Sequence, residues 1–145
     1  MANRWLFKEE PGHYSFQDLI RDRKTVWEGV RNPLARKHLR NVRKGDRVFY
    51  YHTGSEKSVV GIARAISDAC PDPNSKDANA VVVEIAPVKA LERPVTLATI
   101  KSLSQFANFP LVRISRLSVM PVSDSEWRAI EDLGRTDAKQ TSPTR

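Results

Sequence analysis

Residues 47–67 of the chain read RVFYYHTGSEKSVVGIARAIS, and this stretch sets the expected fold class. Residues 47–52 and 58–67 are rich in β-branched and aromatic residues, which predicts a strand in each. The segment between them, TGSEK, is polar and contains a glycine, as hairpin loops do. Gly61 within the second strand predicts a β-bulge or a close approach to its backbone. We therefore expect an antiparallel hairpin at the centre of the domain.

Apolar runs on both sides of this hairpin predict the remaining elements. Further strands are expected at residues 3–8, 25–27 and 80–93 and within 111–122. Short helices are expected to begin at the cap residues Ser15, Asn32 and Ser123, and a further short helix is expected at residues 96–103. The five or six strands should pair mostly as sequential antiparallel hairpins, because helices for parallel βαβ units are too few. The predicted fold class is α+β, a small barrel-like sheet with short peripheral helices.

The same patterns predict which side chains pack. Helical spacing places Ile20 and Leu34 on the apolar faces of the first two helices. Tyr50 and Tyr51 are adjacent on a strand, so one is expected in the core and the other outside.

Length and composition indicate one domain, predicted at residues 1–134, with a disordered polar tail at 135–145. The single cysteine, Cys70, excludes an intramolecular disulfide and fits a reducing compartment. The first ten residues contain two acids and no long apolar run, which argues against a signal peptide. No run approaches the roughly 20 apolar residues of a membrane span. We expect a soluble, cytoplasmic, monomeric protein without a membrane partner.

Positive charge is concentrated in residues 31–47. This segment contains seven Lys/Arg and one acid, a net charge of +6 in a chain of net charge +7. Such clustering favours a polyanionic partner, DNA or RNA, over a merely solvated helix face. The residues expected to hold backbone phosphates are Arg31, Arg36, Lys37, Arg40, Arg43 and Lys44.

Three residues near this segment are candidates for a binding site. Trp27 could stack on an unpaired base, although a tryptophan is more often a core residue. Asn32 is explained by helix capping alone, but a helix N-terminus can also face a polar ligand. His52 ends a strand, where a structural histidine is about as common as a functional one. Metal-ligand spacings and catalytic motifs are missing from the sequence, so neither a metal nor a cofactor is expected.

Several separated segments resemble the EVE domain family, a branch of the PUA-like superfamily. They are WLFKEEP at 5–11, WEGVRN at 27–32, Ala35-Arg36, FYYH at 49–52, CPDP at 70–73 and RLSVMPV at 116–122. Their order along nearly the whole chain makes the resemblance specific.

The resemblance implies a PUA-like pseudobarrel and a non-enzymatic reader that takes a flipped-out, modified base into an aromatic and polar pocket. By position, Trp27 would stack on the base and Asn32 would bond its edge. Tyr51 and His52 would form a wall, and Leu117-Ser118 the floor or rim. No cofactor is implied.

Glu9 stands where the family usually has serine. It could accept a hydrogen bond from an exocyclic amine, as on cytosine, or repel phosphate. Two alternatives remain at this point. One is an enzyme acting on nucleic acid or a nucleobase ligand, with Glu9 and His52 as acid and base. The other is a basic RNA-binding module without base selectivity.

Overall fold

In the computed structural model, which describes residues 3–135, seven strands form a curled mixed sheet with short helices around it. The strands are β1 Arg4–Glu9, β2 Thr25–Trp27, β3 Arg47–His52, β4 Ser58–Ala65, β5 Cys70–Pro71, β6 Val81–Thr96 and β7 Val119–Pro121. The α-helices are α1 Phe16–Asp22, α2 Pro33–Arg40, α3 Leu97–Lys101, α4 Pro110–Arg113 and α5 Asp124–Leu133, with a 3₁₀ turn at Ser104–Phe106. The sheet order is β2-β6-β4-β3-β1-β7, and β5 pairs with β6.

The predicted hairpin is confirmed at the centre of the sheet. β3 and β4 pair antiparallel, with Phe49 opposite Ile62 and His52 opposite Ser58. The pairing of β4 with β6 shifts between Val59 and Gly61, so the predicted irregularity is present. Gly61 also meets the ring of Phe16 from α1, which lies over this part of β4. Both expectations for Gly61 are therefore confirmed.

The expectation of antiparallel pairing is wrong at one place, and several of the antiparallel pairs join strands that are not consecutive in the chain. β1 pairs parallel with β3, with Arg4 opposite Arg47 and Glu9 opposite His52. The connection between them contains α1, β2 and α2, and its middle strand pairs with β6 at the far edge of the sheet. β1 pairs antiparallel with β7 on its other side. A crossover of this kind lacks the regular strand–helix–strand pattern by which parallel units are recognised.

The pairing of β1 with β3 places alternate residues on opposite faces of the sheet. Phe7 and Tyr50 lie on the face covered by α1, where Tyr50 meets the ring of Phe16 at 5.5 Å between ring centroids. Phe49 lies on the other face and stacks on Trp127 of α5, with ring centroids 3.7 Å apart. Apolar side chains from both faces are buried, so the sheet has a core on each side.

Most predicted helix starts are confirmed, but some packing expectations are wrong. Ser15 and Ser123 form capping boxes, and Asn32 caps α2. Ile20 and Leu34 are exposed, because α1 and α2 are short and each buries one narrow side. Tyr50 and Tyr51 are both buried, since both faces of the sheet are covered. Within residues 111–122, the first part is helical and only the end is a strand. The predicted tail beyond residue 135 lies outside the described residues.

Candidate functional site

Trp27 lines an open cavity at one end of the sheet. The cavity has a volume of about 170 Å³ and is lined by Glu9, His13, Tyr14, Thr25, Val26, Trp27 and Glu28. We call it the base cavity, because Trp27, the residue expected to stack on a base, lines it. β2 positions Trp27 by pairing it with Val83 of β6. The indole ring lies 5.1 Å from the ring of Phe7 and 5.5 Å from that of Tyr50 between centroids. These contacts hold the Trp27 ring in place, since only 6% of the residue is exposed.

Glu9 reaches the base cavity from the end of β1. One carboxylate oxygen accepts a hydrogen bond from the backbone N–H of Glu10 at 2.9 Å. The other lies 3.1 Å from Nδ1 of His13, which is largely exposed. Glu28 adds a second carboxyl group to the lining. The cavity wall is therefore acidic, and it favours a ligand that presents N–H donors.

Tyr14 contributes a hydroxyl group on the side of α1. Its hydroxyl donates to Oδ2 of Asp22 at 2.8 Å. Partial burial is the main cause that raises the pKa of Tyr14, and the hydrogen bond to Asp22 raises it further. The phenol therefore stays protonated at neutral pH. Together with the rings of Trp27 and Tyr14, the carboxyl groups give the cavity flat apolar surfaces and hydrogen-bond acceptors.

His52 lies beside Glu9 in the β1–β3 register but has a structural role. Its Nε2 accepts a hydrogen bond from the backbone N–H of Phe16 at 3.0 Å. Nδ1 lies 2.8 Å from Oε1 of Glu56, so the bond from Phe16 assigns the proton to Nδ1. Both ring nitrogens are thus occupied, and the residue is 7% exposed. His52 anchors the start of α1 to β3, and it is not among the residues that line the base cavity.

The structure separates the other residues expected in the pocket. Asn32 is exposed and caps α2 by accepting from Ala35 N–H at 2.9 Å, and it is not among the residues that line the base cavity. Tyr51 lies on the opposite face of the sheet, in a cavity with Lys8. Leu117 is buried, and the carbonyl of Ser118 accepts from the backbone N–H of Lys8 at 2.9 Å. Of the seven predicted residues, the structure brings only Trp27 and Glu9 together in the cavity.

Sequence reasoning missed His13, Tyr14, Thr25 and Glu28 as lining residues. Each lies within a few residues of a predicted one, in the segments that follow β1 and flank Trp27. Their closeness in sequence to Glu9 and Trp27 is the signal that could have identified them.

Several cations predicted to bind phosphate are engaged within the protein. Arg36 is largely buried, donating to the carbonyl of Val30 at 2.7 Å and to Oδ2 of Asp77 at 2.8 Å. Arg40 donates to the carbonyl of Asn79 at 3.2 Å. Arg43 donates to the carbonyls of Arg40 and Val42, at the end of α2. Arg36 and Arg40 therefore join α2 to the loop before β6, whereas Arg43 bonds within the end of the α2 region.

Arg31, Lys37 and Lys44 have exposed side chains for which the described residues supply no hydrogen-bond or ion-pair partner. The predicted phosphate-binding surface of six cations therefore reduces to these three. They lie at the start, the middle and beyond the end of α2, so they do not form one compact cluster.

The contact of Arg36 with Asp77 makes a testable prediction about titration. The backbone N–H of Asn79 and then Arg36 lower the pKa of the Asp77 carboxyl. Because the folded-state pKa is lowered, this stabilisation is present above the unfolded-state pKa and is lost as pH falls through the folded-state value. We expect Arg36→Gln to raise the pKa of Asp77 partway, measured by carboxyl NMR titration. Arg113→Gln, which removes a distant exposed charge, should leave it unchanged; an unchanged value in Arg36→Gln would contradict the pairing.

Two general findings concern the described part of the chain. Within residues 3–135, no helix is long and apolar enough to cross a membrane. In the same range, no three or more His, Cys, Asp or Glu residues are grouped to hold a metal ion.

Comparison with known proteins assigns the family. Residues 3–133 match the EVE domain. The chain belongs to the EVE domain family. A solved protein from Rhodopseudomonas palustris is 40% identical, with a TM-score of 0.86 over 92% of this chain and 93% of that one. Human thymocyte nuclear protein 1 is 29% identical over 92% of this chain and 74% of its own length.

Two further solved structures resemble this EVE domain, one at higher and one at lower sequence identity. Human THYN1, crystallised in complex with DNA containing 5-methylcytosine, is 26% identical, with a TM-score of 0.85 over 94% of this chain and 99% of that one. An ASCH protein from Zymomonas mobilis is 18% identical, with a TM-score of 0.61 over 90% of this chain and 95% of that one. The latter shows a shared fold only. The EVE domain thus has the expected PUA-like half-barrel, with six or seven strands in a curled mixed sheet.

Proposed function

We propose that this EVE domain is a non-enzymatic module that binds nucleic acid and takes a modified base into the base cavity. The observation that carries the proposal is the combination of Trp27 and Glu9 in one open cavity. An aromatic side chain supplies the flat surface on which an unstacked base packs. A relative of the same fold, human THYN1, was crystallised with DNA containing 5-methylcytosine, which supports this class of ligand.

The size of the base cavity favours a single-ring base. An apolar protein cavity of roughly 150 Å³ accommodates one benzene ring. The base cavity, at about 170 Å³, is on the scale of one pyrimidine with a small substituent. A purine would have to extend out of its mouth.

The acidic lining of the base cavity favours a base with an amino group. Glutamate accepts hydrogen bonds from the N4 amino group of cytosine, whereas thymine and uracil present a carbonyl oxygen at that position. Glu9 and Glu28 both line the cavity and could accept such a bond. We therefore propose a cytosine derivative as the ligand. Extruding it from a duplex costs a few kcal/mol, which stacking and edge hydrogen bonds would offset.

The enzyme alternative is less well supported by the geometry. An enzyme of this kind would use His52 as an acid or base next to Glu9. Both ring nitrogens of His52 are already hydrogen-bonded, one to the backbone N–H of Phe16 and the other to the carboxylate of Glu56. A binding module needs only the cavity and its fixed lining.

Substitution of Trp27 tests the proposal. Base stacking contributes about 1–3 kcal/mol per base, so Trp27→Leu should lower affinity for the modified oligonucleotide by roughly 5- to 150-fold. Affinity for the unmodified oligonucleotide, held by its backbone, should change less. Fluorescence anisotropy with paired oligonucleotides that differ only in 5-methylation would measure both.

The matched control for Trp27→Leu is Trp127→Leu. Trp127 is equally buried but stacks on Phe49 on the other face of the sheet, away from the base cavity. It should lower stability without changing the ratio of modified to unmodified affinity. Glu9→Gln gives a second, less disruptive variant, expected to lower the preference for 5-methylcytosine over thymine at the same position, because only cytosine presents an amino group there. An unchanged methylation ratio in Trp27→Leu together with an unchanged cytosine preference in Glu9→Gln would disprove base reading in this cavity.

A further inference from the structure

A second open cavity lies on the opposite face of the sheet from the base cavity. Its volume is about 250 Å³. Three lysines, Lys8, Lys57 and Lys101, line it together with Tyr51, Thr53 and Ser115, and none of the described residues that line it is acidic. We call it the lysine cavity. Its cations come from β1, the β3–β4 loop and α3, so the fold assembles them from distant parts of the sequence.

Lys8 is the central cation of this cavity. Its Nζ donates to the carbonyl of Ser115 at 2.9 Å and lies 5.7 Å from the centroid of the Tyr51 ring. Burial lowers the pKa of Lys8, because the charged form loses hydration. Among the described residues, no carboxylate pairs with it. An anion in the cavity would restore the lost electrostatic stabilisation of this ammonium group.

Lys57 reaches the lysine cavity from an unusual backbone conformation. Its φ is 41°, in the left-handed region that residues other than glycine, asparagine and aspartate seldom adopt. Its carbonyl accepts from the backbone N–H of Leu97 at 2.8 Å, which fixes the loop to the start of α3. This strained backbone holds the Lys57 side chain at the rim of the cavity, where glycine would adopt the same φ without strain but would supply no cation.

The lysine cavity and the base cavity open at the same end of the β1–β3 pair. Lys8 and Glu9 are consecutive, and their side chains serve the lysine cavity and the base cavity, respectively. The backbone N–H of Thr53 donates to the carbonyl of Glu9 at 2.9 Å, directly between the two. Glu10 lies between the two cavities, because its carboxylate contacts Gly54, a lining residue of the lysine cavity. A nucleic-acid strand crossing this end could reach both cavities.

Charge separates the roles of the two cavities. Phosphate is repelled from the base cavity, where Glu9 and Glu28 line the wall, so the backbone of a bound strand must be held elsewhere. Arg36, Arg40 and Arg43 of the α2 region are already engaged within the protein. The lysine cavity provides three cations, and none of the described residues that line it is acidic, although the carboxylate of Glu10 lies beside its lining residue Gly54.

We propose that the lysine cavity binds backbone phosphate of the nucleic-acid strand whose base enters the base cavity. The inference rests on the proposed function for its ligand, but assigns the phosphates to Lys8, Lys57 and Lys101 instead of α2. Phosphate contacts set the affinity and the register of a strand without reading its sequence.

The salt dependence of binding tests this assignment. Each phosphate contact on duplex DNA contributes about 0.9 to the slope of log affinity against log salt. With duplex oligonucleotides we expect the double variant Lys57→Gln/Lys101→Gln to reduce that slope by about 1.8, so that its affinity falls roughly twelvefold less between 50 and 200 mM salt. The matched control, Lys37→Gln/Lys44→Gln, removes the same charge from the α2 region and should change the slope little.

The outcomes distinguish this inference from the proposed function. A reduced slope with an unchanged ratio of modified to unmodified affinity supports the phosphate site. A reduced slope in a protein that never distinguishes the two oligonucleotides supports the phosphate site and rejects base reading. An unchanged slope in Lys57→Gln/Lys101→Gln, or an equal or larger reduction in the control, overturns the phosphate site while leaving base reading intact. A wild-type protein that binds neither oligonucleotide contradicts both.

Discussion

Asp46→Ala is expected to lower the free energy of unfolding by about 3 kcal/mol, because it leaves several hydrogen-bond donors without a partner. Asp46 is the one acid in the basic segment 31–47, and it is 3% exposed. Its carboxylate accepts from Nε1 of Trp5 and from the backbone N–H groups of Asn3 and Arg43, each at 2.9 Å. It therefore joins β1, the end of the α2 region and the start of β3. Urea unfolding followed by tryptophan fluorescence would measure the change.

Asp68→Ala is the matched control for Asp46→Ala. Asp68 accepts one backbone hydrogen bond, from Lys44 N–H at 2.9 Å, but it is exposed on the surface. Water can replace its carboxylate, so we expect a loss within about 0.5 kcal/mol. Similar losses for Asp46→Ala and Asp68→Ala would show that the buried carboxylate does not organise this junction.

Gly61→Ala is expected to destabilise the protein by about 1–3 kcal/mol, through overpacking of the core. A methyl group at Gly61 would lie 2.5 Å from two ring carbons of Phe16, and Phe16 is itself buried. The ring cannot move away without disturbing Tyr50, which meets it at 5.5 Å between centroids. Thermal or urea unfolding of the purified variant would measure the effect.

Two comparisons isolate the clash at Gly61. Gly12→Ala introduces the same methyl group where nothing lies within 4 Å, so it should be nearly neutral. In a Phe16→Ala background the clash disappears, and Gly61→Ala should then cost much less than in the wild type. An equal cost in both backgrounds would show that Phe16 is not the cause.

Local patterns predicted the parts of the fold that local physics controls. The β3–β4 hairpin and the caps at Ser15, Asn32 and Ser123 follow from residues near one another in sequence. The parallel pairing of β1 with β3 could not be predicted in this way. Its two strands are separated by about 40 residues, and the strand between them pairs elsewhere in the sheet.

The candidate site shows the same division. Trp27 and Glu9 lie together as expected, but Tyr51 lines the cavity on the other face of the sheet, because the sequence does not show which strand face it occupies. Counting charges along the sequence indicates a basic surface at α2. It cannot show that Arg36 is paired with Asp77, which lies about 40 residues later in the chain. The lysine cavity was missed because its three cations come from separate elements, each with an ordinary local charge.

The position of β1 between β3 and β7 has a consequence for synthesis of the chain. A ribosome makes β1 before both of its partner strands, and the strand that pairs with its second edge is made about 110 residues later. Until then the apolar run Trp5-Leu6-Phe7 has an unpaired edge, which is a site for aggregation or chaperone binding. The sheet can therefore be completed only after β7 has been made. Substitutions that disrupt the pairing of residues 119–121 with β1 should lower the yield of soluble protein, even though these residues line neither cavity.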